Sequence, residues 1–300
     1  MPVTSARPFG SLLTAMVTPM RDDGSIDLGA AVALAVHLVE HGHDGVVLNA
    51  TTGEASTTEF AEKVELIQAV VGAVGERALV LAGAGSNDTR HAVRMAEQAA
   101  AAGAHGLLVV SPYYSRPAQR GIQLHTLAIA DATDLPVMLY DVPARTGVRY
   151  SRETLRVLAG HERVLAIKDA TGDVQAATTA IAETGLAWYS GDDGLLLPFL
   201  AVGAVGLVSM AGHLVGTELA RAIAEFERGE VGAALATVRS VLPAVDLIGG
   251  SGNGALRSKL TLALTGVIPG ATMRLPQVAA DDAEVAEVRA GLVAAGLLDR

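Results

Sequence analysis

The chain has 300 residues, of which 50% are hydrophobic and 18% charged, with no cysteine and a formal net charge of -10. That composition excludes a disordered chain and a disulfide-stapled secreted scaffold. The 32 acidic against 22 basic side chains, with no basic block, argue against nucleic-acid or anionic-lipid partners.

Near the N-terminus, Arg7 and the apolar run at 11–17 have the outline of a leader. Thr14, Thr18 and Pro19 interrupt the run and no A-x-A-like site follows, so a buried strand is expected there. Further short runs rich in Val, Leu and Ile follow at 45–50, 78–83, 106–111, 136–141, 164–169, 187–190 and 206–210, giving eight candidate strands. Ala-rich amphipathic stretches separate them, with Asp27 heading a helix over 28–40, Thr58 one over 59–74 and Asp88 one over 89–102. Gly42, Gly75 and Gly103 mark helix ends. After Leu214 the pattern turns to helices alone, over 217–228, 230–247 and 254–264, with the glycine cluster at 249–254 as the main loop.

Eight strand–helix units predict a closed (β/α)₈ barrel, the TIM barrel, over 1–213, followed by a C-terminal α-helical region over 214–300. A doubly wound open sheet is the alternative. It would want a dinucleotide fingerprint after the first strand, where Thr18-Pro19-Met20-Arg21 stands instead. No 18-residue apolar stretch is free of charge and glycine, so no membrane span and a cytoplasmic location are expected.

Chemistry is sought first among the lysines, because there are three against nineteen arginines. Lys63, four residues after Glu59, and Lys259, beside Arg257, read as solvated helix charges. Lys168 ends the sixth strand, at the face where barrels of this kind build their active sites. An amine in an apolar pocket there could attack a carbonyl and form a Schiff base; a purely structural pairing with Asp169, or with another strand-end acid, is the bland alternative. Other strand ends agree: Thr51-Thr52-Gly53-Glu54 after the second, Pro112-Tyr113-Tyr114 after the fourth, and Tyr140 closing the fifth before Pro143-Ala144-Arg145-Thr146-Gly147. Tyrosine and threonine hydroxyls can relay protons, and an arginine fork can hold a carboxylate.

Two competing motifs are weak. His37-Leu38-Val39-Glu40-His41 matches an H-x-x-E-H zinc pattern but lies in the first outer helix, away from the strand mouths, so no metal site is expected. The run Gly249–Gly254 lacks the preceding strand and the G-K-[ST] ending of a phosphate loop.

Taken together, Thr51-Thr52-Gly53-Glu54, Pro112-Tyr113-Tyr114, Tyr140 with Pro143-x-Arg145-Thr146-Gly147, Ile167-Lys168-Asp169-Ala170 and Ser190-Gly191-Asp192-Asp193 resemble the dihydrodipicolinate synthase family. This family sits within the pyruvate-dependent class I aldolases, together with the N-acetylneuraminate lyases. The resemblance covers nearly the whole chain and is closest to actinobacterial members. It implies a lyase of lysine and diaminopimelate biosynthesis in which Lys168 forms a Schiff base with pyruvate, and the enamine attacks L-aspartate 4-semialdehyde. It further implies that Tyr140, Thr51 and Tyr114 form a proton relay, with Tyr114 crossing from a neighbouring subunit of a homotetramer. Thr52 would hold the pyruvate carboxylate, Arg145 the semialdehyde carboxylate, and the backbones of Gly191 and Val208 the pyruvate pocket. No metal or organic cofactor is implied.

The chain departs from the family pattern at Ala50, where glycine is usual, and at Ala55, where serine is usual. If position 50 needs a glycine's backbone freedom, Ala50 would displace Thr51. At the lysine-feedback positions of the family stand Phe60, Lys63 and His91, and a cation at 63 implies weak or absent inhibition by lysine. The rival functions are a related lyase or dehydratase acting on a 2-keto sugar acid, against which Arg145 speaks, and a catalytically silent barrel.

Overall fold

The computed structural model describes residues 4, 6–250 and 253–299. The first half of the barrel runs β1 (Leu12–Ala15), α1 (Leu28–Glu40), β2 (Gly45–Leu48), α2 (Phe60–Val74), β3 (Leu79–Gly83), α3 (Thr89–Ala101), β4 (Gly106–Val110) and α4 (Gln119–Ala130). The second half runs β5 (Val137–Asp141), the one-turn α5 (Pro143–Thr146), α6 (Arg152–Ala159), β6 (Val164–Asp169), α7 (Val174–Thr184), β7 (Ala187–Ser190), α8 (Leu196–Ala201) and β8 (Gly206–Ser209). Helices α9 (Gly212–Glu227), α10 (Val231–Gly249), α11 (Gly254–Leu264) and α12 (Asp282–Ala294) follow. All strand pairs are parallel, and β1 pairs both β2 (Leu13 with Gly45) and β8 (Leu13 with Val208), which closes the sheet in chain order. This is the expected (β/α)₈ barrel, and the open sheet is excluded.

The strands are mostly apolar because both faces are covered, and most of their polar residues stand at the carboxyl ends, Asp141, Lys168, Asp169, Ser190 and Ser209 among them. Alternation by two sends Met138 and Tyr140 of β5, and Ala166 of β6, into the lumen with Leu13, Val47 and Val208. Leu139 and Ile167 point outward to the helices. The floor of the lumen is plugged by Phe9 against Tyr189, ring centroids 6.5 Å apart, and the Tyr189 hydroxyl donates to Gly10 O at 2.9 Å.

Helix starts follow the capping chemistry. Asp27 accepts from Ala30 N, and Asp88 from Arg90 N and His91 N. The expected cap at Thr58 is corrected: Glu59 is the cap residue, in a capping box with Glu62, and Thr58 instead serves Lys63. Helix α12 was not foreseen, because its apolar set is sparse: Val288 and Leu292 are its buried residues. Helix α9 starts at Gly212, five residues before the expected 217, and bends at Val215. In the 249–254 cluster, Gly249 ends α10 and Asn253 caps α11, while 251 and 252 lie outside the described residues. By length and composition α10 alone among the described helices could cross a bilayer. It carries Arg239 and Asp246, and its Ala234, Val238, Val241 and Ala244 face the rest of the fold.

Two buried histidines fasten β1 and the residues just after it to their surroundings: His43 ties Thr14 to the end of α1, and His213, at the start of α9, ties Val17 to Met210. His43 Nδ1 lies 2.7 Å from Leu38 O, and His213 Nδ1 lies 2.8 Å from Met210 O; a carbonyl only accepts, so both Nδ1 atoms carry the proton. Each Nε2 therefore accepts, from the Thr14 hydroxyl at 2.7 Å and from Val17 N at 3.2 Å. Burial holds both rings neutral, with pKa values lowered to about 4. Glycine is required at 212, where a Cβ would meet Thr14 Oγ1 at 2.2 Å and His43 Nε2 at 2.8 Å.

Candidate active site at the carboxyl end of the barrel

Lys168 and Tyr140 are register partners at the carboxyl ends of β6 and β5. By strand alternation Lys168 shares the lumen face with Ala166, and its Nζ lies 4.5 Å from the centre of the Tyr140 ring. Both are buried, at 4% and 7% exposure.

The next residues, Asp141 and Asp169, are also register partners but face the helices. Asp169 accepts from Trp188 Nε1 at 3.0 Å and Thr171 N at 2.8 Å, so its oxygens are held on the far side of the strand from the lysine. A structural Lys168–Asp169 pair is thereby set aside. Asp141 accepts from Tyr150 N at 3.3 Å; burial first, and the nearby Asp169 charge second, push its pKa up to about 7.

The turn after β2 carries Thr51 and Thr52. Glu54 N donates back to Thr51 O at 3.1 Å, and the Thr18 hydroxyl holds Gly53 O at 2.8 Å. Thr52 is buried, whereas Thr51 is exposed at the cleft. The left-handed backbone at this strand end belongs to Asn49 (φ 53) and Glu54 (φ 56), not to Ala50. The Ala50 side chain packs with the lumen residues, so position 50 does not require glycine here.

Tyr114 follows β4 in a left-handed conformation (φ 71) and is 89% exposed in the single chain. Arg145 sits on α5, which opens with Pro143 and closes on Gly147 at φ 77. Gly191 N donates to Asp169 O at 2.7 Å, and a Cβ there would meet Ala170 Cβ and Asp169 O at 3.0 Å. Val208 is fully buried in the lumen. Next to Gly191, the Asp193 carboxylate accepts from the Ser209 hydroxyl, Met210 N and Ala211 N, fixing the β7 end against the β8 end.

A cleft of about 560 Å³ opens above these residues, walled by Thr51, Tyr113, Tyr114, Tyr140, Val142 and Arg145. It continues past Ser86 and Asp88 to Lys63 and His91. A smaller cleft of about 170 Å³ shares Thr51, Ser56 and Arg145 with it and is lined further by Thr52, Asn253 and Gln277. Lys168, Gly191 and Val208 lie outside both linings. The structure thus brings Thr51, Tyr114, Tyr140 and Arg145 to one cavity, with Thr52 in the adjoining one and Lys168 beside Tyr140. An amine, hydroxyls and a guanidinium in that order suit condensation of a carbonyl compound bearing a carboxylate.

Two readings of lysines are corrected. Lys63 is not a solvated helix charge: it is 8% exposed, and its Nζ donates to Thr58 O and, at 2.8 Å, to Thr58 Oγ1. Burial lowers its pKa. Lys259 has no exposed surface and pairs with Glu54 at 2.5 Å. The fold explains it, since α11 buries eight successive residues from Ala255 to Leu262 and leaves no polar face for a solvated charge; the sequence ALRSKLTL, half of it polar, gives no sign of this. The His37 and His41 rings lie 4.0 Å apart at the end of α1, tilted by 32°, and among the described residues no three potential ligands gather around a metal position.

The sequence matches the model of the Dihydrodipicolinate synthetase family over residues 8–295. A 4-hydroxy-tetrahydrodipicolinate synthase of Acidothermus cellulolyticus is 50% identical over 298 residues, covering 99% of this chain and 96% of that protein. A dihydrodipicolinate synthase structure from Bacillus anthracis superposes with a TM-score of 0.91 at 38% identity, covering 97% of this chain and 99% of that one. A structure of the enzyme from Cyanidioschyzon merolae with lysine bound gives a TM-score of 0.92 at 37% identity, with 97% and 99% coverage. The chain belongs to the Dihydrodipicolinate synthetase family.

Proposed function

We propose that this chain condenses pyruvate with L-aspartate 4-semialdehyde to 4-hydroxy-tetrahydrodipicolinate, a lyase-class step of lysine and diaminopimelate biosynthesis. The observation that carries the reading is the register pair Lys168–Tyr140 at the strand ends, beside a cleft whose wall includes Thr51 and Arg145.

The Lys168 amine attacks C2 of pyruvate and water leaves, giving an imine; loss of a C3 proton turns it into an enamine. The enamine carbon attacks the aldehyde carbon of the semialdehyde, whose oxygen takes up a proton. The substrate's own amine then attacks the imine carbon, closing the ring and freeing Lys168. Tyr140, Thr51 and Tyr114 pass the protons, with Tyr114 supplied by a neighbouring subunit; its 89% exposure in the single chain suits that role. Thr52 holds the pyruvate carboxylate, Gly191 and Val208 line its pocket by their backbones, and Arg145 receives the semialdehyde carboxylate. The lysine imine is the electron sink, so the reaction uses no metal or organic cofactor. The working form is a homotetramer built as a dimer of dimers, located in the cytoplasm.

Borohydride trapping with pyruvate, read by intact mass and peptide mapping beside a semialdehyde turnover assay, tests this. A pyruvate adduct on Lys168 with turnover is expected. An adduct without turnover points to another aldehyde, and no adduct overturns the Schiff-base reading.

A further inference from the structure

Glu54 follows the Thr51–Thr52 pair in a left-handed conformation that a non-glycine residue holds only when its surroundings fix it. Both of its carboxylate oxygens are fixed from the far end of the chain. Oε1 accepts from Lys259 Nζ at 2.5 Å, and Oε2 accepts from Arg274 N at 3.1 Å. Lys259 has no exposed surface and spends a second proton on Thr272 O at 2.7 Å. The Arg274 guanidinium donates to Gly24 O and Thr57 O, each at 2.8 Å, and forks onto both oxygens of Glu62, one of them at 2.7 Å. Two cations and two carboxylates thus close a neutral network between α11 and the segment after it, the turn after β2, the loop before α1 and the first turn of α2.

A buried ion pair is a poor way to gain stability, since two apolar side chains of like volume commonly do as well. What it supplies is direction: each oxygen of Glu54 has one donor, so the carboxylate cannot rotate, and the turn Thr51–Glu54 cannot relax out of its left-handed end. The turn it fixes is the one that carries Thr51 and Thr52 to the two clefts.

We propose that Glu54, Lys259 and Arg274 are positioning residues for the Thr51–Thr52 turn, so that α11 and the segment after it set the geometry of the reaction with pyruvate. This rests on the function proposed above. None of the three need touch substrate; they act through the two threonines.

The test compares wild type with Glu54→Gln, Lys259→Met, the double variant Glu54→Gln/Lys259→Met, and Arg274→Lys. It measures Tm, the rate of pyruvate adduct formation on Lys168, and the KM of each substrate. Each single variant is expected to slow adduct formation and lower kcat/KM for pyruvate at least about tenfold, with the semialdehyde KM within about twofold of wild type. The double variant, which strands neither charge in the interior, is expected to recover Tm without recovering the adduct rate. If Glu54→Gln and Lys259→Met, each of which strands one buried charge, fail to fold, the double variant and Arg274→Lys carry the comparison. A lowered Tm with adduct rate and pyruvate KM within about twofold of wild type would reduce the network to a stability device and overturn the proposal. Absence of an adduct on the wild-type protein would instead defeat the functional reading, and this proposal with it.

Discussion

The two neutral histidines, His43 between β1 and α1 and His213 at the start of α9, should make the fold sensitive to acid. Both rings have folded-state pKa values of about 4, against 6.5 in an unfolded chain, because burial disfavours the charged form and each Nε2 lone pair is already engaged. The unfolded state therefore binds protons first as pH falls, and stability present above 6.5 is lost between 6.5 and 4. At about 1.36 kcal/mol per pKa unit, each ring removes about 2 kcal/mol between pH 7 and pH 5, and the pair about 4 kcal/mol. His43→Gln and His213→Gln retain one donor and one acceptor at each position but cannot titrate. Urea unfolding of wild type and the double variant at pH 7, 6 and 5, at fixed protein concentration, isolates the contribution as a difference in slope. The double variant should start less stable at pH 7 and lose about 4 kcal/mol less on going to pH 5. Parallel stability curves for the two proteins would refute the reasoning, whatever their absolute stabilities.

Asp141 acts with the opposite sign: its raised pKa of about 7 means that the unfolded carboxyl ionises first, so its stabilising contribution, complete below 3.8, is lost as pH rises toward 7. Asp141→Asn should gain on wild type by about 2 kcal/mol between pH 5 and pH 7 in the same unfolding assay, and a constant offset would count against it. Lys168→Arg should remove the pyruvate adduct from the mass spectrum and lower kcat by more than about a thousandfold, since a guanidinium does not form the imine. Arg145→Lys keeps the charge but not the fork, and should cost about 10- to 100-fold in kcat/KM for the semialdehyde, with pyruvate trapping unchanged. L-lysine at sub-millimolar concentration should leave turnover unaffected, because Lys63 places a cation on the wall of the cleft it would enter; half-inhibition in that range would sink the expectation.

The barrel was legible because each strand is a short, nearly unbroken apolar run and each helix between them is amphipathic, so one period gives way to the other eight times. Lys168 and Tyr140 were legible because a polar residue ending an apolar strand has one place to be. The network around Glu54 was not. Its members stand 205 and 220 residues apart in the chain, and no local pattern announces a pairing at that distance. Lys63 misled for a related reason: spacing on a helix names its neighbours along the helix, but the preceding loop folds Thr58 over the amine and makes a polar position an interior one. Position 50 shows the converse, since a departure from a family pattern brings no left-handed strain when the left-handed backbone lies at Asn49 and Glu54.

Closure of the sheet by Leu12–Leu207 and Leu13–Val208 has a consequence for the order of events during synthesis. The first strand is made almost two hundred residues before its second neighbour, and until β8 emerges both β1 and the newest strand present unpaired backbone along an edge. Local βα units can form early, yet the contacts that complete the ring are the longest-range ones in the sheet, which favours slow closure and an interval of exposed edges. A nascent chain halted before residue 206 should therefore be the species most prone to associate with other chains, and release of β8 the step that ends the hazard.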